Sequence, residues 1–167
     1  MSGHAYLTFF DAAPGESPAV GHENWIDLLS WTWGVTASAG PGGPGGVGGG
    51  GGRPDPTALV WEHAFDAAST RLLGFVASGR RVPKAELHVT RAGGHGGRDA
   101  WLTVLMEDVT ITSVTTTGSA DGDVEQTVGM EFRLVRFGYR RQRPDGSLAE
   151  PATFTWNIAT GAVTTAP

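Results

Sequence analysis

The residues that could do chemistry in this chain are histidines, a glycine-rich run and one isolated serine. Ser78 lacks the flanking glycines of a nucleophile elbow. The glycine-rich run ends in Arg53-Pro54 rather than in the Gly-Lys-Ser/Thr of a phosphate-binding loop. The histidines are scattered without the short spacing of a metal site: His4, His22, His63, His88 and His95. We therefore predict no catalytic residue, no cofactor and no metal site.

Other candidate motifs also fail on inspection. The chain has no cysteine, which excludes disulfides, zinc–thiolate sites and thiol nucleophiles. Asp121-Gly122-Asp123 lacks the ladder of oxygen ligands and the closing glutamate of a calcium loop. Aspartate and glutamate pairs are numerous, but none stands out as a general acid and base. These absences favour a structural or binding role over an enzymatic one.

A basic run near the end of the chain allows two interpretations. The arginines are interleaved with Phe137 and Tyr139, and they are Arg133, Arg136, Arg140, Arg141 and Arg143. They could form a nucleic-acid stripe. They could instead be strand residues that are solvated or that pair with acidic residues across a subunit boundary. The net charge of −5 favours the second interpretation. We expect no nucleic-acid partner.

The elements that would position these residues are mostly strands, and the most informative one is rich in tryptophan. Residues 25–35 hold three of the six tryptophans and the β-favouring run Trp-Thr-Trp-Gly-Val-Thr. A period of two places Trp25, Leu29, Trp31, Trp33 and Val35 on one face. The other face, with Ile26 and Leu28, is mixed. We predict a strand that uses both faces, one on the core and one on a neighbouring subunit.

Two long segments, 99–116 and 123–143, alternate with one interruption each. The first places Leu102, Val104 and Met106 on one face and then Val109 and Ile111 on the other. The second places Val128, Met130, Phe132 and Leu134 on one face and then Val135, Phe137 and Tyr139 on the other. A one-residue slip moves every later side chain to the opposite face. Such slips predict bulged, bent strands of a barrel or of packed sheets.

The remaining pattern completes a mainly β fold. A helix is expected at about residues 67–78, with Asp66 as its cap and Gly79 just beyond its end. Further strands are expected at 4–11, 58–65, 85–91 and 152–158. Together these elements predict a closed or compressed antiparallel β-barrel, that is, two packed sheets, with one short α-helix.

Residues 39–56 interrupt this pattern with glycine and proline. The segment has no core-forming side chains and maximal backbone entropy, so we predict a flexible surface loop within a single domain spanning 1–167. The N-terminus lacks a basic region followed by an apolar run, and no window reaches the length of a membrane span. We expect synthesis in the cytoplasm without a signal peptide, and export, if any, by another machine.

Several motifs in register resemble the haemolysin-coregulated protein (Hcp) family. They cover nearly the whole chain except the glycine-rich loop and the last residues. They are Pro14-Gly15-Glu16-Ser17, His22, Trp25-Ile26, Leu29-Ser30, Trp33-Gly34-Val35, the run 66–73, Ala77-Ser78-Gly79, Pro83, Arg91-Ala92-Gly93, Asp108-Val109, Ser113-Val114, Glu125, Phe132, Phe137 and Tyr139.

The resemblance implies a tube protein of type VI secretion. Its subunits would form hexameric rings that stack into a hollow inner tube, driven out by a contractile sheath. Implied partners are copies of itself, a spike protein, sheath and baseplate components and small effectors, with no direct membrane insertion. The family has no active site to transfer. The tube could belong to a membrane-anchored system or to a free contractile particle.

The sequence departs from the family in two places. The segment 39–57 is longer and richer in glycine than usual, and Glu62-His63-Ala64 replaces a basic pair before the helix. Because the family uses the loop after the tryptophan strand for contacts, the departure leaves the stacking mode open. The candidate subunit or ring contacts are Trp31, Trp33, Pro41, Pro44, Val47 and Arg53.

Two other functions are kept as alternatives. One is a monomeric secreted effector or a carbohydrate- or peptide-binding module on the same barrel, which would expose Trp61, Trp101 or Tyr139 as a stacking platform. The other is a small hydrolase, which the missing nucleophile disfavours.

Overall fold

The structure is a computed structural model that describes residues 3–38, 52–91 and 99–167. Its helical segments are a 3-10 turn at Phe10–Ala12 and helix α1 at Ser69–Ser78. Its strands are β1 (Gly3–Thr8), β2 (Ile26–Leu28), β3 (Ser30–Thr32), β4 (Val35–Ala37), β5 (Pro54–Pro56), β6 (Leu59–Ala64), β7 (Arg81–Arg91), β8 (Ala100–Gly118), β9 (Val124–Glu131), β10 (Leu134–Tyr139), β11 (Ala152–Asn157) and β12 (Val163–Ala166).

The long strand β8 organises the sheet. It pairs with β7 on one side, and on the other it pairs first with β10 and then with β9. From β7 the antiparallel path continues to β1 and β2, and from β9 it continues to β6 and β3. Strands β2 and β3 are consecutive, and the Leu29 N–H between them donates to the Glu62 carbonyl at 2.8 Å. The path therefore folds back on itself as a compressed barrel, which confirms the predicted fold class.

In three neighbouring parts of the sheet, the alternation of buried and exposed side chains shifts by one residue, and the three shifts lie side by side in one row across the strands. Buried residues are three apart rather than two on β7, on β8 and between β9 and β10: Val82 and Ala85, Met106 and Val109, and Phe132 and Val135. The slips predicted in 99–116 and 123–143 are confirmed, and β7 adds a third that the sequence analysis did not predict. We call this row the crease. It allows each long strand to face the core on both sides of a bend.

Asp108 lies at the centre of the crease. Its backbone has φ 54°, in the left-handed region that side chains other than glycine, asparagine and aspartate rarely adopt. Its carboxylate meets Arg81 of β7 at 3.2 Å and Arg133, between β9 and β10, at 3.1 Å. The Arg133 N–H also donates to the Glu107 carbonyl at 3.1 Å. One aspartate thus links the three strands where they bend.

The tryptophan-rich segment is three short strands rather than one. Ile26 is fully buried, whereas Leu29 is 58% exposed. Trp31 and Trp33 pack against the core after the bend at Leu29. The prediction that Trp25 and Leu29 share a face with Trp31 was wrong. The physical reason is that the chain leaves β1 at Leu29 and pairs with β6, so the alternation restarts in a new phase.

Helix α1 begins at Ser69, two residues later than predicted, with Ala68 rather than Asp66 at its N-cap, whereas its end before Gly79 is as predicted. The Asp66 Oδ1 accepts the Ala68 N–H at 2.9 Å in the turn before the helix. Gly79 follows the last residue with φ 66°, and its N–H donates to the Phe75 carbonyl. A glycine at this position carries no Cβ penalty, which explains the clean helix end.

The glycine-rich connection is shorter than the predicted 39–56. Pro54–Pro56 forms β5, which pairs with β4 as a two-stranded hairpin, and the Gly52 N–H donates to the Ser38 carbonyl at 3.0 Å. The prolines are tolerated because β5 is an edge strand. Residues 39–51 lie outside the described residues. Strand β12 was also not predicted, because its sequence Val-Thr-Thr-Ala shows no alternation of apolar and polar side chains. All four residues are exposed.

Substitutions at Asp108 should separate backbone strain from charge. Asp108→Asn tolerates the left-handed backbone and removes only exposed ion pairs, so we expect a loss of less than about 1 kcal/mol in the free energy of unfolding. Asp108→Val places a β-branched side chain at positive φ and should cost about 2–3 kcal/mol. Urea unfolding measures both. Equal losses for the two variants would show that charge, not backbone conformation, holds the crease.

Candidate assembly surface

A groove opens between the β4–β5 hairpin and the turn that joins β11 to β12. Its volume is about 660 Å³, and it is lined by Arg53, Pro54–Pro56, Trp156 and Ile158–Gly161. A second depression of about 210 Å³ shares Asp55, Pro56 and Ile158 with it and reaches Trp33 and Phe132. We call the two together the hairpin groove. They form one continuous concave surface beside the hairpin.

Trp33 anchors the hairpin to the barrel. Its ring centroid lies 5.4 Å from Phe137, 6.0 Å from Phe132 and 6.4 Å from Trp156. The indole N–H groups of Trp33 and Trp156 are buried without an acceptor. An aromatic cluster of this size contributes both buried area and ring-edge contacts. Trp33 therefore fixes where the hairpin leaves the barrel.

The structure brings only some of the predicted contact residues together. Arg53 is exposed on the hairpin groove and Trp33 lines its inner part. Trp31 is half-buried on β3 opposite Trp61 and does not line the groove. The other three predicted contacts, Pro41, Pro44 and Val47, lie outside the described residues. The role of all six in assembly stays a prediction.

Several large apolar side chains are exposed on the surface. They are Phe10, Val20, Leu29, Val35, Phe65, Leu73, Val124, Tyr139 and Val163. Phe65 and Val124 are neighbours, since the Phe65 N–H donates to the Val124 carbonyl at 2.9 Å. Strand alternation could not reveal them, because Leu73 lies within helix α1 and the others stand at strand ends, bends or turns. Some of this surface is available for contacts with other subunits.

The basic run is used largely within the chain. Arg133 pairs with Asp108, as described above. Arg140 Nε donates to the Ala149 carbonyl at 3.0 Å, and Arg143 donates to the Leu148 carbonyl at 3.3 Å. Arg133, Arg140 and Arg143 thus contact an aspartate and the backbone of the same chain. Pairing of the run with acidic residues across a subunit boundary stays a prediction.

A cluster of ionisable and aromatic side chains covers the outer face of β1, β2 and β7. His22 Nε2 lies 2.9 Å from His88 Nδ1, and His88 Nε2 lies 2.7 Å from Glu86 Oε1. The His22 ring stacks on Tyr6 at 4.4 Å, and Trp25 contacts His22 at 4.8 Å and His88 at 4.6 Å. The sequence showed Glu86 and His88 sharing a face, but not that His22 reaches it from a distant loop.

The pKa shifts of this cluster follow from its burial and hydrogen bonds. Burial lowers the pKa of His22, and the neighbouring His88 lowers it further. The hydrogen bond from His88 lowers the pKa of Glu86. Burial raises the pKa of Tyr6, with a further contribution from Asp27. A negative Glu86 beside neutral His22 is the form that these environments favour.

A second histidine is buried in the core near the start of α1. His63 is fully buried, and neither ring nitrogen has a hydrogen-bond partner. Its Nδ1 lies 3.7 Å from Asp66 Oδ1. Burial lowers the pKa of His63 and raises that of Asp66. Burial therefore disfavours the charged form of the His63 ring, and the fully buried ring is inaccessible to a substrate.

The described residues offer little support for ligand binding by stacking. Trp61 is fully buried, so the expectation that it could be exposed was wrong. Arg91 lies over the Trp101 ring at 4.5 Å, and Tyr139 meets the same ring edge-on at 6.0 Å. Residues 3–38, 52–91 and 99–167 hold no group of three metal-ligating side chains. Within the same ranges, no helix is long and apolar enough to span a membrane.

Trp33→Ala should destabilise the subunit by about 3 kcal/mol, because it removes the ring that packs against Phe132 and Phe137. Leu29→Ala is the matched control at an exposed position and should change stability by less than about 0.5 kcal/mol. Urea unfolding below the assembly concentration measures both. An unchanged unfolding midpoint for Trp33→Ala would contradict the anchoring role and place the ring against a neighbour.

Comparisons with known proteins agree with this architecture. A family model described as "Type VI secretion system effector, Hcp" matches residues 6–141. The chain is 33% identical over 146 residues to Protein hcp1 of Pseudomonas aeruginosa, covering 86% of this chain and 88% of that protein. The crystal structure of Hcp1 from Salmonella typhimurium has a TM-score of 0.76 at 25% identity, covering 98% of this chain and 100% of that one. Another structure, of a type six secretion system protein, has a TM-score of 0.88 at 21% identity, covering 98% and 100%, and supports the fold alone.

Proposed function

The chain belongs to the Hcp family of type VI secretion system effectors, and from that premise we propose that it is a structural subunit of a secretion tube. Copies assemble into hexameric rings, and the rings stack into a hollow inner tube. The observation that carries the proposal is the family match over residues 6–141, which includes every barrel strand from β2 to β10.

The surface of the subunit supports self-association. Exposed apolar side chains such as Leu29, Phe65 and Val163 gain stability when a neighbouring copy covers them. A ring closes when each subunit presents two different surfaces, one complementary to the next. The scattered positions of these side chains suit contacts on two sides of the subunit, with the crease keeping the barrel flat between them.

The proposed partners and route follow from the tube. The partners are copies of this chain, a spike protein, sheath and baseplate components, and small effectors carried in the lumen. The chain is a single domain that leaves the cell through the contractile apparatus after synthesis in the cytoplasm. No catalytic step is proposed, and the polar clusters described above serve packing and conformation.

Ring assembly is the direct test. At tens of micromolar the purified chain should sediment as a hexamer, and negative-stain images should show rings with a central hole. Leu29→Glu should weaken assembly at least tenfold if this side chain lies in a subunit contact, whereas Ser119→Glu, in the exposed turn between β8 and β9, is a control for added charge. A strictly monomeric wild-type chain in ultracentrifugation would overturn the proposal.

Shortening the glycine-rich connection should separate ring formation from stacking. Because the β4–β5 hairpin and the Gly52–Ser38 hydrogen bond close its base, residues 40–50 can be replaced by a two-residue turn. Ordering such a run costs about 1 kcal/mol or more per residue, and few side chains are present to offset it. We expect rings to form normally and stacking to weaken, as measured by tube length in images. Loss of rings would show that the connection holds subunits together.

A further inference from the structure

The loop between the 3-10 turn and β2 is held against the barrel at its middle by His22. It runs over the outer face of β1, β2 and β7, and His22 is 2% exposed there. The loop also forms a small ladder of its own: the Ser17 N–H donates to the Trp25 carbonyl and the Asn24 N–H to the Ser17 carbonyl, each at 2.9 Å. His22, His88 and Glu86 together are called the histidine latch.

The hydrogen bonds of the latch determine where the protons lie. Glu86 has an ionised carboxylate that only accepts, so His88 Nε2 must carry the hydrogen of the 2.7 Å bond. When His88 carries only this one proton, its other nitrogen, Nδ1, is an acceptor, and His22 Nε2 is then the donor of the 2.9 Å contact. If both rings were protonated, two N–H groups would face each other and this bond could not form.

We propose that the histidine latch is an acid-sensitive switch that releases the loop carrying His22 from the barrel. The released loop uncovers the Tyr6 ring, which His22 now covers, and frees Trp25 from its contacts with both histidines. The loop remains tethered by Glu16, whose carboxylate accepts the Ala67 N–H at 2.8 Å just before α1. The switch thus changes one outer face without unfolding the barrel.

The charged groups around the latch set the direction of the response. Burial and His88 lower the pKa of His22, while the carboxylates of Glu23, Asp27 and Glu86 raise it by less. The loop itself supplies Glu23, β2 supplies Asp27, and β7 supplies Glu86 and His88. Tyr6 of β1 is neutral at these pH values because its pKa is raised. Lys84 of β7 faces Glu86.

The sign of the pH effect follows from linkage. In the open loop His22 is solvated and titrates near its ordinary pKa of about 6.5, whereas in the closed loop its pKa is lower. The open form therefore binds more protons below about pH 6.5, and the closed form loses stability as the pH falls. One excess proton changes the ratio of closed to open forms by up to about tenfold per pH unit.

Hydrogen exchange of the full-length chain tests the proposal. Protection factors are measured by mass spectrometry between pH 7.5 and 5.0, after correction for the intrinsic exchange rate. Peptides covering 15–25 should lose protection at least tenfold over this range, because the ladder formed by the Ser17 and Asn24 amides lies wholly within the loop and is too short to persist once the loop leaves the barrel. Peptides from β8 should keep their protection.

Matched variants test whether the loss of hydrogen-exchange protection depends on the histidine latch. His22→Gln removes the ring whose burial gives the response and should make loop protection independent of pH, whereas His88→Gln removes the hydrogen-bond partner but leaves His22 buried and should only reduce the response. His4→Gln changes an exposed histidine that makes no hydrogen bond in the latch and should retain the wild-type response. Three results would overturn the proposal: constant loop protection in the wild type, a pH-dependent loss that persists in His22→Gln, or a loss that begins in β6 and β9 around His63.

Discussion

The structure depends on the crease, the row where three adjacent strands bend together. A long strand can face one core only if its alternation shifts where the sheet turns, and here Val82, Met106 and Phe132 lie just before that shift. Asp108 adopts a left-handed backbone at the turning point and contacts an arginine on each side. Because both ion pairs are exposed, they orient the strands more than they stabilise them. The bend itself is maintained by the apolar side chains buried on both sides of it.

The β4–β5 hairpin is a separate two-stranded sheet that stands on the aromatic cluster of Trp33, Phe137 and Trp156. Its outer residues and the β11–β12 turn then bound the hairpin groove. The rings buried beneath the hairpin give it a firm base on the barrel.

The two buried histidines show how position changes chemical behaviour. His63 is enclosed by core side chains and has no hydrogen-bond partner, so its ionisation would require the core to open. His22 is equally hidden, but it is covered by a loop and is bonded to a second histidine. Moving one loop is enough to hydrate it. The two histidines differ in which part of the chain must move before the ring can be hydrated. A change of pH therefore acts on the outer face of this protein rather than on its core.

The sequence by itself determined the mainly β architecture, the end of the helix at Gly79 and the slips in two long strands, because alternation and C-capping are local. It also carried enough motifs in register to indicate the family. Only the tertiary structure decided that the tryptophan segment breaks at Leu29, that the crease includes β7, and that His22 meets His88 across 66 positions of sequence. Each of these depends on which strands pair and which loop crosses them. Pairing is a long-range choice, and no local pattern of side chains records it.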